Sequence, residues 1–165
     1  MRWLEQMQIC AGFVPVDLQS GANNGDYVSL KNYNHVAIVL FKAAGTAGDD
    51  PTLTLQQASD VSGTGAKALN FTRIDVKQGA SLFAIGTFTK VTQAAGNTYT
   101  SDTSAEGQAI WVVEIDAADL DRDNGFDCVR ATVADVGGNA QLGCLFYLLF
   151  EPRYAGEPAV SAIVD

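Results

Sequence analysis

The sequence predicts an all-β chain: an antiparallel β-sandwich of about eight strands with jelly-roll topology and at most short helical turns. Three observations carry this. Short runs rich in β-branched and aromatic residues recur along the chain, separated by clusters of Gly, Asn, Asp and Pro, which is the punctuation of strands and turns. No stretch sustains the apolar period of a long helix, so βαβ architectures and their nucleotide sites lose support. Several polar loops are long, as they are where strands pass from one sheet to another.

Taking the elements in order, MRWLEQMQICA (1–11) places Trp3, Met7 and Ala11 in one stripe with Leu4 beside it. A short amphipathic helix or arm is therefore expected over residues 1–12, interrupted by Gly12 and Pro15. Such a helix is too short to be stable alone and has to pack on something, either its own core or a partner. Trp3, Leu4 and Met7 are its candidate partner-binding residues.

Strands are expected at YVSLK (27–31), HVAIVLFKA (35–43), TLTLQQA (52–58) and ALNFTRIDV (68–76), with four more at SLFAIGTFTKV (81–91), QAIWVVEID (108–116), FDCVRATVA (126–134) and LGCLFYLLF (142–150). In QAIWVVEI, Ala109, Trp111, Val113 and Ile115 share one face, the pattern of a strand with one side in the core. VAIVLF (36–41) and CLFYLLF (144–150) are apolar on both faces, as in strands that sit centrally or have one face covered by another chain. Within LNFTRIDV the apolar set changes parity between Phe71 and Ile74, which predicts a bulge or a sheet-crossing bend. DAADL (116–120) offers a single helical turn, and QAAGNTYTSDTSAEG (93–107) reads as the longest polar loop.

The chain of 165 residues is one domain by length, divided into an arm (1–12), the sandwich (13–156) and a C-terminal tail (157–165). Its net charge of −9 opposes binding to nucleic-acid phosphates and to anionic membranes, so neither is expected as a partner. The three cysteines, Cys10, Cys128 and Cys144, form no CxxC or Cys/His cluster, and Cys128 and Cys144 fall in apolar runs, as buried free thiols do. The N-terminus carries Glu5, Gln6 and Gln8 where a secretory signal needs apolar residues, and no run is long enough for a membrane helix.

One local constellation resembles chemistry: Asp119, Asp121 and Asp123 at alternate positions before Asn124-Gly125. Counted as a calcium loop from Asp119, the first three ligands match, but the glycine comes one place late and Arg130 stands where the bidentate Glu belongs. A turn between strands is the better account, and no metal or other cofactor is expected. His35 is the lone histidine, beside an apolar run and with no local nucleophile or orienting carboxylate, so it reads as structural. GTGAK (63–67) lacks the spacing of a phosphate loop. No catalytic residue is expected.

The segments FVPVDLQSGANNGDYVSLKNYNHVAIVLFKAAGTAGDDP and DLDRDNGFDCVRATVADVGGNAQLGCLFYLLFEPRYAG resemble small virion structural proteins of tailed bacteriophages, in particular capsid cement or head-decoration proteins with jelly-roll folds. The resemblance spans about Phe13 to Gly156 and lies in overall strand pattern, with no diagnostic motif. It implies a non-catalytic protein on the outer surface of a capsid assembled in the bacterial cytoplasm. The partners it implies are the major capsid protein and further copies of the chain, as a homo-oligomer and first of all a trimer. The alternatives are a carbohydrate-binding or hydrolytic jelly-roll module, or a neck or tail accessory protein of the virion.

Overall fold

A computed structural model of the chain describes residues 3–101, 106–154 and 159–164. In chain order its strands are β1 (Met7–Asp17), β2 (Asn23–Asn24), β3 (Val28–Ser29), β4 (Tyr33–Lys42), β5 (Thr52–Ala58) and β6 (Lys67–Ala68). They continue with β7 (Phe71–Gly79), β8 (Thr89–Gly96), β9 (Thr98–Thr100), β10 (Gln108–Asp116), β11 (Cys128–Val133) and β12 (Leu142–Pro152). Helical structure among the described residues is confined to 3-10 turns of three residues.

Two antiparallel sheets result, as the sequence predicts for a sandwich. One runs β1-β12-β4-β10-β7-β8; the other runs β2-β11-β5-β6, with β3 also on β11 and β9 on β5. Among the pairings is a nested set, β1 with β12, β2 and β3 with β11, β4 with β10, and β5 with β6, while β4 with β12 and β5 with β11 cross it and join its pairs into sheets.

The core lies between the sheets because each contributes one alternating set of apolar side chains. Val36, Ile38 and Leu40 of β4 and Trp111 and Val113 of β10 meet Leu53, Leu55, Val129 and Ala131 from the opposite sheet, all fully buried. Each large side chain removed from water in this way stabilises the fold by about 1.5–3 kcal/mol. Trp111 is oriented by its indole N–H, which donates to Gln78 Oε1 at 3.1 Å, and by the Tyr99 ring, edge-on at 4.8 Å. Tyr147, buried on β12, reaches across the core: its hydroxyl accepts from the Ala131 amide at 3.0 Å and donates to the Asp26 carbonyl at 2.9 Å. Gly25 makes room for this contact, since a Cβ there would stand 2.3 Å from the Ala131 carbonyl oxygen and 2.6 Å from the tyrosine hydroxyl.

Four expectations change. The N-terminal segment is not a helix beyond a 3-10 turn at Trp3–Glu5; from Met7 it is the edge strand β1 on β12. Met7, Ile9 and Ala11 also alternate at period two, and an unpaired β12 ladder offers a hydrogen-bonded partner that a two-turn helix could not match. The expected strand 68–76 is two strands in different sheets, β6 and β7, and a register shift between Phe71 and Arg73 marks the change of parity. The expected strand 81–91 begins as a 3-10 turn, Leu82–Ala84, and becomes β8 only at Thr89. The expected loop 93–107 holds the end of β8 and all of β9, which pairs with β5 and closes one side of the sandwich. Near the C-terminus, Ala162 is buried and its carbonyl accepts the Ser29 amide at 2.7 Å.

Candidate functional site: an open apolar sheet face

The two strands that read as apolar on both faces, β4 and β12, lie side by side in the middle of the longer sheet. One face of each builds the core. The other points outward, and residues paired across the ladder share that outward side. Phe146 stands opposite Val39, which stands opposite Val112. One row away, Ile9, Leu148 and Ala37 line up; on the other side, Cys144, Phe41 and Ile110 do. Met7 and Phe150 extend the patch toward His35. Ala37 and Val39 are shielded by these neighbours yet belong to no part of the core between the sheets.

Among the described residues no layer seals this face. Phe146, Leu148, Phe150, Ile110 and Val112 stay partly exposed, while Ile9 and Phe41 keep 45% and 46% of their surface. At the Phe41 end the patch runs into a groove of about 380 Å³ lined by Pro15, Leu82, Phe83, Leu142 and Cys144. Leu142 is 61% exposed, and Phe83, at the tip of its 3-10 turn, is 100% exposed. Scattered apolar residues on a surface need no explanation, but a contiguous patch spread over four strands does, and this makes the face the candidate site. Lys42 borders the groove from inside, its ammonium buried and donating to the Gly107 carbonyl at 2.6 Å. Burial pulls its pKa down to about 8 against the opposing charges of Asp50 and Glu106.

Cys144 belongs to this face and is half-buried, unlike the fully buried thiol expected; Cys10 and Cys128 are buried. It falls at an outward position of β12 because the strand is apolar on both sides, which the run of residues alone does not resolve.

His35 marks the opposite end of the face. Its Nδ1 bonds to Asp116, directly across on β10, and its Nε2 lies 3.0 Å from Glu151 Oε2, with the ring stacked on Phe150. Burial pulls the imidazole pKa down, but the hydrogen bonds and charges of the two carboxylates outweigh it and the net shift is upward. The clamp's stabilisation is thus complete below the ordinary histidine range and is lost as pH rises through the raised pKa. Both nitrogens face carboxylates and neither a hydroxyl nor a thiol, an arrangement that ties strands together. The sequence shows no orienting carboxylate near His35 because both arrive by strand register.

The three aspartates of the acidic corner go separate ways. Asp119 accepts the Asp116 amide at 3.1 Å in a capping box. Asp121 pairs with Lys67 and accepts both contacts from the Asn124 side-chain amide, and these partners, Lys67 first, hold its carboxyl below the usual range. Asp123 sits in the 3-10 turn that Gly125 ends in a left-handed conformation, φ 82°. Among the described residues no three His, Cys, Asp or Glu side chains converge where an ion could sit.

Of the candidate arm residues, Leu4 is exposed in the first turn and Met7 is half-buried on the open face, opposite Phe150. The side chain of Trp3 lies outside what the structure describes. The fold and face together define a β-sandwich with one apolar sheet face uncovered among the described residues. No protein-family model matches the chain, and no curated protein is significantly similar to it.

Proposed function

We propose that this chain is a non-catalytic structural protein of a bacteriophage virion that works through protein contacts, reinforcing the capsid shell from its outer surface. The observation that carries this is the uncovered apolar face of the longer sheet, a contiguous apolar surface of the kind that protein contacts cover. The nested strand pairing supports the jelly-roll topology of capsid cement proteins, which the sequence resembles. The net charge of −9 suits the outside of a shell, since the inside meets packed phosphates. The one histidine is engaged as a strand clamp, which fits a protein without acid–base chemistry.

The test is co-sedimentation of the purified protein with expanded capsids that lack it. The expected result is saturable binding at a fixed ratio to the major capsid protein, with shells that withstand more heat before rupture. Absence of binding to any shell form, or binding without added resistance, overturns the proposal. Binding to a glycan array in place of shells would move the chain to the carbohydrate-recognition class.

A further inference from the structure

We propose that the open face is the contact between two copies of this chain, stacked back to back about a two-fold axis. This rests on the proposed function only in taking the face as a protein-contact surface. Area, charge and symmetry together fit a second copy as the occupant.

Area comes first. Strands lie about 4.8 Å apart and outward side chains recur every 6.8 Å or so, so five rows on four strands cover roughly 650 Å² in projection. Including the three outward rows of β7 beside β10, which carry Asp75 and Lys77, brings this to about 750 Å², close to the roughly 800 Å² that each partner gives to a stable interface of standard size. The face is large enough to hold a dimer without help from other surfaces.

Charge points the same way. The molecule carries −9, and copies repel one another through most of their surface. The flank of this face is different: Arg73, Lys77 and Lys90 stand among Asp75 and Glu114, with Arg73 bonded to Asp75 at 2.9 Å. Both signs are interspersed at near balance, so the flank neither repels a copy of itself nor prefers a partner of one sign.

Symmetry sets the number of copies. A single patch that covers itself makes an isologous contact and closes at two copies. A trimer, the expectation from the resemblance, needs two different complementary patches on each chain. The back-to-back arrangement stacks the two open sheets about 10 Å apart, with Phe146, Leu148 and Val39 near the middle.

Sedimentation velocity on the full chain tests this. At tens of micromolar the expected species has twice the 17.4 kDa chain mass. Phe146→Glu places a charge at the centre of the face and Ile9→Lys places one nearer its edge; both side chains point outward, so the sandwich folds in each. Each is expected to weaken the dimer by roughly 100-fold or more. A wild-type monomer or trimer at that concentration, or a dimer indifferent to both substitutions, overturns the inference. Alkylation of Cys144 in the unaltered protein is an independent readout, since the other two thiols are buried. Its rate is expected to fall as protein concentration rises, and a constant rate counts against the dimer. A monomer that binds shells, and stops doing so as Phe146→Glu, sinks the dimer and keeps the proposed function. A dimer that binds no shell does the reverse.

Discussion

At the scale of single residues, one hydroxyl ties the two sheets together. Tyr147 satisfies the Ala131 amide and the Asp26 carbonyl from inside the core, and burial pushes its phenol pKa far up, so the group stays protonated and donates at any working pH. Tyr147→Phe keeps the ring and removes both contacts, leaving the buried Ala131 amide and the part-buried Asp26 carbonyl without this partner. The expected cost is about 1–3 kcal/mol, which for a chain of this size lowers Tm by roughly 3–10 °C. Thermal unfolding followed by circular dichroism measures it, and a change within a degree means the bridge contributes nothing. Neither this bridge nor the His35 clamp is legible in the sequence. The clamp's partners lie 81 and 116 residues away along the chain, and only register places them. The acidic corner is the opposite case: Asp-Asn-Gly names a turn by its own chemistry, and the structure has a turn there.

Among the elements, β1 is the one whose nature depends most on its neighbour. Its residues fit a helical stripe and an alternating strand about equally, and the β12 ladder decides between them. Two truncations separate the turn from the strand. Removal of residues 1–6 takes only the part before the ladder, with Leu4 already exposed, and is expected to leave Tm within about 2 °C. Removal of residues 1–11 also strips the pairs from Met7↔Phe150 to Ala11↔Phe146 and the buried Cys10, and is expected to lower Tm by more than about 10 °C or to abolish soluble expression. Equal effects from both would show that the turn, and not the strand, holds this end of the molecule. Loss of shell binding by the shorter truncation at unchanged Tm would identify Trp3 and Leu4 as docking residues. Strands with one clean apolar face, such as β10, are legible because alternation is local information. The passage from β6 to β7 is legible in part: the parity switch between Phe71 and Ile74 predicts the irregularity found between Phe71 and Arg73, but the change of sheet falls earlier, at Leu69 and Asn70, inside a run whose β propensity is unbroken.

For the whole molecule, the surplus of apolar surface is legible in two short runs of residues. VAIVLF and CLFYLLF carry more apolar faces than one core can use, and both strands prove central in the sheet with the open face. What the runs do not say is which side faces out, because that depends on where the second sheet lies. Set against this surplus is the charge of −9, and the balance between the two makes a last prediction. Burying the open faces brings two acidic bodies within a few Debye lengths of each other at low salt. The length is about 14 Å near 50 mM salt and about 4 Å near 500 mM, so the repulsion is largely screened over that range. The apolar contact itself is not weakened by salt. The dimer is therefore expected to tighten by roughly 10-fold as sodium chloride rises across this interval, with Phe146→Glu remaining monomeric throughout. A contact between an acidic patch and a basic one would respond in the opposite sense, because screening removes its attraction. Sedimentation equilibrium across the salt series reads the sign directly, and a dimer that falls apart as salt rises is not held by the open face.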